Sequence, residues 1–242
     1  MEKKIQQVFS RYESKYMVQP DQLETLLRRL HPMTVEDVYG NYTICSIYFD
    51  TEDYSLVRAS VEKPVFKEKL RLRSYGIPKA DDPVFVELKR KYNGVVYKRR
   101  ATMTCRDASD YFQKGRYPSS DSQIMHEINW FVEQYQPIPK SYIAYDRTAL
   151  SGAEDEELRI TFDRNIRWRD NKLDLSMGDW GAPLLPGGAA LMEVKSAGSI
   201  PLWLSHLLSE LKIYPASYSK YGDCYKQNLI HDFLKTEVFH CA

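Results

Sequence analysis

Lys67, Lys69, Arg71 and Arg73 stand at every second position of one short segment, with Phe66, Leu70 and Leu72 among the residues between them. Side chains of a strand alternate between faces, so this spacing puts four cations on one face and an apolar surface on the other. The chemistry open to such a face is the neutralisation of closely spaced negative charge on a polyanionic ligand. A single strand of this kind could equally be an edge with its charges in water, so the weight falls on repetition.

The next segment repeats the pattern: Val84, Val86 and Leu88 share one face, and Glu87, Lys89 and Lys91 the other. Asn93-Gly94 then predicts a two-residue hairpin, because a type I′ turn needs positive φ at both central positions. That loop pairs Tyr92 with Val95, sets Lys89 opposite Lys98, and sets Glu87 opposite Arg100. Like charges directly opposite are destabilising. An anion bound between Lys89 and Lys98 would remove the penalty, as would water on a solvated face. Glu87 reads as the ion-pair partner of Arg100.

Further segments follow suit. Leu158, Ile160 and Phe162 alternate with Arg159, Thr161 and Asp163, while Ile143, Tyr145 and Arg147 share a face. So do Leu191, Glu193 and Lys195, and likewise Arg11, Glu13, Lys15 and Met17. A sandwich would turn the apolar faces inward and leave these charges outside. A closed barrel with a polar interior and helices outside uses the same alternation, and eight strands enclose room for one slender ligand.

The elements that must position these residues can be placed coarsely. Strands are expected over residues 8–18, 42–49, 66–73, 84–92, 95–100, 141–150, 157–164 and 191–196. Helices are expected from Asp21 after Pro20 to Leu30, from a cap at Asp50 or Thr51 to Ala59, and over 108–114 and 121–134. Two more follow over 201–212 and 219–234, the former with Trp203, Leu204, Leu207, Leu208 and Leu211 on one packing stripe. Residues 177–188, rich in Gly and Pro, read as a surface loop.

Composition bounds the rest. The 242 residues are 43% hydrophobic and carry a net charge of +1, but residues 63–100 hold twelve Lys/Arg against four Asp/Glu. That stretch is locally +8 and the remainder −7, a polarisation that suits one polyanion site; a nucleic-acid face is the competitor. The basic residues sit among apolar alternation and not in an aromatic-studded groove, so no nucleic-acid partner is expected. Cys45, Cys105, Cys224 and Cys241 show no CxxC spacing, and the five histidines show no metal spacing. Reduced thiols, no membrane segment and a cytoplasmic, soluble enzyme are the expectation.

In order along the chain stand Arg11-Tyr-Glu-Ser-Lys-Tyr-Met-Val, Ser46-Ile-Tyr-Phe-Asp-Thr, Leu70-Arg-Leu-Arg and Val86-Glu-Leu-Lys. They are followed by Ala144-Tyr-Asp-Arg, Leu158-Arg-Ile-Thr, Met192-Glu-Val-Lys and Tyr218-Ser-Lys-Tyr-Gly. Together these motifs resemble the VTC domain, the polyphosphate polymerase branch of the triphosphate tunnel metalloenzymes, over nearly the whole chain. The resemblance implies an α+β fold: a single domain over residues 1–242, with an antiparallel eight-stranded tunnel barrel, a basic interior and helices outside. It also implies a polymerase that transfers the γ-phosphate of ATP to inorganic polyphosphate with Mn2+ or Mg2+.

Carried over by position, the resemblance makes Lys15, Arg71, Arg73, Lys89, Arg147 and Arg159 catalytic tunnel residues. Lys98, Tyr145, Ser219 and Lys220 become phosphate contacts, and Glu193 the metal ligand. On the residues alone, Glu193 is equally a salt-bridge partner of an inner Lys or Arg, and Tyr145 equally a packing residue. Hydrolysing members of the superfamily open with Glu-x-Glu-x-Lys, whereas this chain has Arg11-x-Glu13-x-Lys15, which favours the polymerase branch. The alternatives kept are a metal-dependent triphosphatase and a non-catalytic polyphosphate-binding module. Control by an unidentified protein partner is left open.

Overall fold

The computed structural model describes residues 12–62, 64–93, 95–116 and 122–230. Its strands are β1 (Tyr12–Val18), β2 (Thr34–Asp50), β3 (Phe66–Tyr75), β4 (Pro83–Tyr92), β5 (Val95–Thr104), β6 (Ile138–Gly152), β7 (Arg159–Arg169), β8 (Ala182–Pro183) and β9 (Ala190–Ser196). Its helices are α1 (Pro20–Leu30), α2 (Ser55–Val61), α3 (Cys105–Lys114), α4 (Gln123–Tyr135), α5 (Leu202–Glu210) and α6 (Lys220–Cys224), the last continuing into a π-helical turn, Tyr225–Leu229. The hydrogen-bonded strand order is β1-β9-β7-β6-β2-β3-β4-β5, with β8 beside β7. This is the expected antiparallel sheet with helices; the path ends at β1 and β5, and closure into a barrel is not among the described pairings.

Two compact units divide the chain. One comprises the chain up to Tyr42, Asp146–Asn165 and Leu185–Ser217. In it β1 pairs with β9, placing Lys15 opposite Glu193 and Glu13 opposite Lys195, and β9 pairs with β7, placing Thr161 opposite Glu193. Tyr16, Val18, Leu158, Ile160, Phe162, Ala190, Met192 and Val194 pack with Leu26 and Leu30 of α1 and Leu204, Leu207 and Leu208 of α5. The intervening charged positions therefore occupy the face away from these helices.

The other unit comprises Thr43–Tyr145, Ile166–Leu184 and the chain from Tyr218 on. Cys45, Ile47, Phe49, Leu70, Leu72, Val84, Val86 and Leu88 pack against Ala108 and Tyr111 of α3 and Met125, Ile128 and Phe131 of α4. Thr104 and Ser122 cap these helices by accepting from the amides of Asp107 and Met125. Fully burying one such aliphatic or aromatic side chain contributes roughly 1.5–3 kcal/mol, which makes this apolar face the fixed side of the sheet.

Several boundaries differ from expectation. β2 begins at Thr34, eight residues early, because Thr34–Val38 is half-exposed or exposed at every position and shows no alternation to read. The loop at 177–188 contains β8, whose Ala182 pairs with Trp168. Gly181 permits that approach: a Cβ there would lie 2.5 Å from the Trp168 carbonyl oxygen. The expected final helix is α-helical only to Cys224 before the π turn. Residues 8–11 of the expected first strand, Gly94, Asp121 and residues 231–234 lie outside the described residues.

Candidate functional site

The Asn93 loop sets the register of β4 and β5 as the sequence requires: Tyr92 faces Val95, Lys89 faces Lys98 and Glu87 faces Arg100. β3 then aligns Lys69 with Lys89, Arg71 with Glu87 and Arg73 with Phe85. β2 adds Tyr48 beside Arg71 and Ser46 beside Arg73. Directly opposed residues share a face, so these strands lay out adjacent rows, Lys69-Lys89-Lys98, Tyr48-Arg71-Glu87-Arg100 and Ser46-Arg73-Phe85.

Glu87 is the hub of these rows. Its side chain is 1% exposed. Arg71 Nε donates to Oε2 at 2.7 Å, and Lys98 Nζ and Arg100 Nε each lie 2.7 Å from Oε1. Arg73 Nε is 3.8 Å from Oε2. Burial works to raise the Glu87 carboxyl, but Arg71, Arg73 and Lys98 outweigh it and hold the group well below the usual carboxylate range. Lys98 faces Lys89 in register as expected, and its Nζ leans diagonally to Glu87, a partner that the hairpin register alone did not indicate. Burial pulls Lys98 down to about 8, against the opposing pull of Glu87.

The Tyr218-Ser-Lys-Tyr-Gly motif is positioned by hydrogen bonds. Asp50, fully buried, accepts from the amides of Leu56 and Val57 at the start of α2 and from the Tyr221 hydroxyl at 3.0 Å. Tyr221 stacks on Tyr48 with centroids 4.9 Å apart. Ser219 caps α6 through the Gly222 amide, and Lys69 Nζ donates to its Oγ at 2.9 Å. A Cβ on residue 222 would press to 3.2 Å on the Ser219 side chain, so glycine lets this turn close. Lys220 is thereby seated with Nζ 4.4 Å from the centre of the Tyr145 ring, a cation–π contact.

The Tyr145 hydroxyl in turn accepts from Arg73 Nη2 at 3.1 Å, and the Tyr48 hydroxyl from Arg71 Nη1 at 3.3 Å. Burial would raise the Tyr48 phenol, but Arg71, Arg73 and Lys220 hold it below its ordinary value. Arg71, Arg73, Lys98, Tyr145, Ser219 and Lys220 are thus gathered in one unit, with Lys89 aligned in register beside Lys69 and Lys98. In the rows around Glu87, cations outnumber carboxylates severalfold.

The cluster in the first unit is different in kind. Arg147 Nε and Nη2 donate to the two oxygens of Asp163 at 2.6 and 2.8 Å, a bidentate grip on a carboxylate with no exposure. Arg147 Nη2 is also 3.8 Å from Glu193, and Lys15 Nζ lies 3.7 Å from both Glu13 and Glu193. Arg159 donates to Asp37 at 2.9 Å. Lys15, Arg147, Arg159 and Glu193 are gathered here, and with Lys195 at 3.8 Å from Glu13 the four bases named match the four acids.

Five participants were not singled out as site residues from sequence: Glu87 as a hub, Arg100, Tyr48, Lys69 and Asp163. Glu87, Lys69 and Asp163 were already on charged faces, and the hairpin register pointed to Arg100. Tyr48 carried no signal beyond its motif.

The VTC domain's family model matches residues 10–229. The chain belongs to the VTC-domain family. Two solved structures share the fold of this VTC-domain chain at low identity. A proposed adenylate cyclase from Bacillus halodurans matches with a TM-score of 0.54 and 14% identity, over 86% of this chain and 92% of that one. A proposed adenylyl cyclase from Hippeastrum, described with a dominant triphosphatase activity, gives 0.52 and 17%, again over 86% and 92%.

Whether this VTC-domain chain offers a place for a hard divalent cation turns on its oxygen donors. No group of three or more His, Cys, Asp or Glu capable of holding a metal occurs among the described residues. Glu193, largely buried, stands within ion-pair distance of Lys15 and Arg147, at 3.7 and 3.8 Å. Opposite it in register, the Thr161 hydroxyl is buried with no hydrogen-bond partner. One carboxylate and one hydroxyl fit an ion whose remaining ligands are phosphate oxygens and water, and not one caged by protein.

Proposed function

We propose that this VTC-domain chain handles inorganic phosphate chains, and specifically that it transfers the γ-phosphate of ATP to a growing polyphosphate. The observation that carries the reading is the convergence of Arg71, Arg73, Lys98 and Arg100 on the single carboxylate of Glu87. A face so rich in cations is costly empty and gains most from a ligand with many anionic oxygens. In this reading residues 1–242 act as one cytoplasmic domain, and the strands close into the eight-stranded tunnel barrel expected from the sequence.

The chemistry asks little covalent work of the protein. A terminal phosphate oxygen of the acceptor chain, already anionic, attacks the γ-phosphorus; the bond to the β–γ bridging oxygen breaks and ADP leaves with that oxygen. Arg71 and Arg73, held by Glu87, neutralise equatorial oxygens, with Lys89, Lys98, Ser219 and Lys220 as further phosphate contacts and Tyr145 orienting Arg73. Lys15, Arg147 and Arg159 serve the same purpose, with Arg147 fixed by Asp163. Glu193, with Thr161 beside it, would hold Mn2+ or Mg2+, and the ion would supply stabilisation of the charge that develops on the phosphate.

Triphosphate hydrolysis is the second reading, favoured by the pair Glu13 and Glu193, which share Lys15. The described triphosphatase activity of the Hippeastrum protein belongs with it by fold analogy. Incubating purified protein with ATP and manganese and following the phosphorus NMR spectrum separates the readings. An internal-phosphate signal growing with ADP is expected for the polymerase; orthophosphate alone would replace it with the hydrolase, and an unchanged spectrum with bound polyphosphate would leave a binding module.

A further inference from the structure

We infer that Tyr75 and Phe85 form a seat for the base of a nucleoside triphosphate. The inference rests on reading the cationic rows around Glu87 as a nucleoside-triphosphate site. On β3 the residues Lys69, Arg71, Arg73 and Tyr75 share one face, so three cations are followed by one aromatic ring at the end of the row. Successive same-face positions are about 7 Å apart. Phe85 lies opposite Arg73 on β4 and two residues from Glu87, on that same face.

The two rings meet edge to face, with centroids 5.6 Å apart and planes at 71°. The Arg100 guanidinium, which grips Glu87, stacks over Phe85 at 4.8 Å from its centroid and also engages the Tyr75 hydroxyl. Tyr75 is nevertheless 49% exposed, and Ile77 just beyond it 52%. About half of Tyr75 is therefore open to a ligand.

Among the described residues, the opposite end of the rows offers no equivalent on the charged face. Phe66 and Tyr92 are exposed there, but they face each other in register on the even-numbered side of β3 and β4, away from Lys69 and Arg71. A ligand that is flat and aromatic at one end and polyanionic at the other matches the order found: rings first, then Arg73 and Arg71, then Lys69, Lys89 and Lys98. Bases stack on aromatic side chains with little dependence on which base is present, so purine and pyrimidine nucleotides should both be accepted.

Calorimetric titration with ATP and, separately, with inorganic tripolyphosphate at equal ionic strength tests the seat. Tyr75→Ala should weaken ATP binding by at least about 5-fold while leaving tripolyphosphate affinity within about 2-fold of the parent. Tyr75→Phe, which keeps the ring and loses the hydroxyl, should retain ATP affinity. Equal losses for both ligands, or no loss for either, would overturn the seat while tripolyphosphate binding to the parent protein upholds the phosphate site. If the parent protein bound neither ligand, the underlying reading and the seat would fall together.

Discussion

Lys98 faces Lys89 across the β4–β5 ladder, yet its Nζ lies 2.7 Å from Glu87 Oε1, one row away. The lysine thus joins a carboxylate already held by three arginines, and burial lowers it to about 8 from an ordinary 10.5. Its cost when charged is present in full below about pH 8. Between about pH 8 and 10.5 the unfolded chain holds a proton that the folded chain has released, so this group makes stability rise with pH there. Phosphate binding runs the other way, because a neutral Lys98 no longer attracts an anion. Tripolyphosphate affinity should fall as pH passes about 8, and Lys98→Arg should flatten that step because arginine stays charged. Superimposable pH profiles for the two proteins would remove Lys98 from the site.

Glu87→Gln should destabilise the protein by about 3–5 kcal/mol, since it leaves Arg71, Arg73, Lys98 and Arg100 without their common carboxylate. Tripolyphosphate should raise the melting temperature of the variant more than that of the parent, the ligand replacing the lost negative charge. Thermal unfolding with and without tripolyphosphate measures both effects, and equal ligand shifts would argue against the hub.

Glu193→Gln addresses the metal. Metal-dependent turnover of ATP should drop roughly 100-fold or more, corresponding to several kcal/mol of lost transition-state stabilisation. Tripolyphosphate binding measured without metal should persist. Unchanged turnover would mean that Glu193 serves only Lys15 and Arg147.

Asp163→Asn removes one of two charged oxygens from Arg147 inside a site with no solvent access to the acid, and should cost about 3 kcal/mol. Arg147→Lys, unable to grip both oxygens, should also lose stability. Urea unfolding midpoints decide the point, and a neutral Asp163→Asn would show that the bidentate pair anchors nothing.

The amino-acid order by itself determined the alternation that separates charged from apolar faces, because the two-residue period of a strand is a local steric property. It also determined the β4–β5 register, since Asn93-Gly94 leaves a two-residue loop one way to close; Lys89–Lys98 and Glu87–Arg100 follow from that turn alone. Family membership was legible for the same reason: the charged positions recur in fixed local motifs. Tertiary structure decided what those charges meet. Arg71 reaches Glu87 through the β3–β4 register, Arg147 reaches Asp163 from another strand, and Lys69 reaches Ser219 across 150 positions. These pairings depend on longer connections and on how side chains lean between rows, neither of which a local pattern encodes. The half-exposed first part of β2 is not legible in the sequence because nothing buries one of its faces, and without a buried face a strand leaves no period to read.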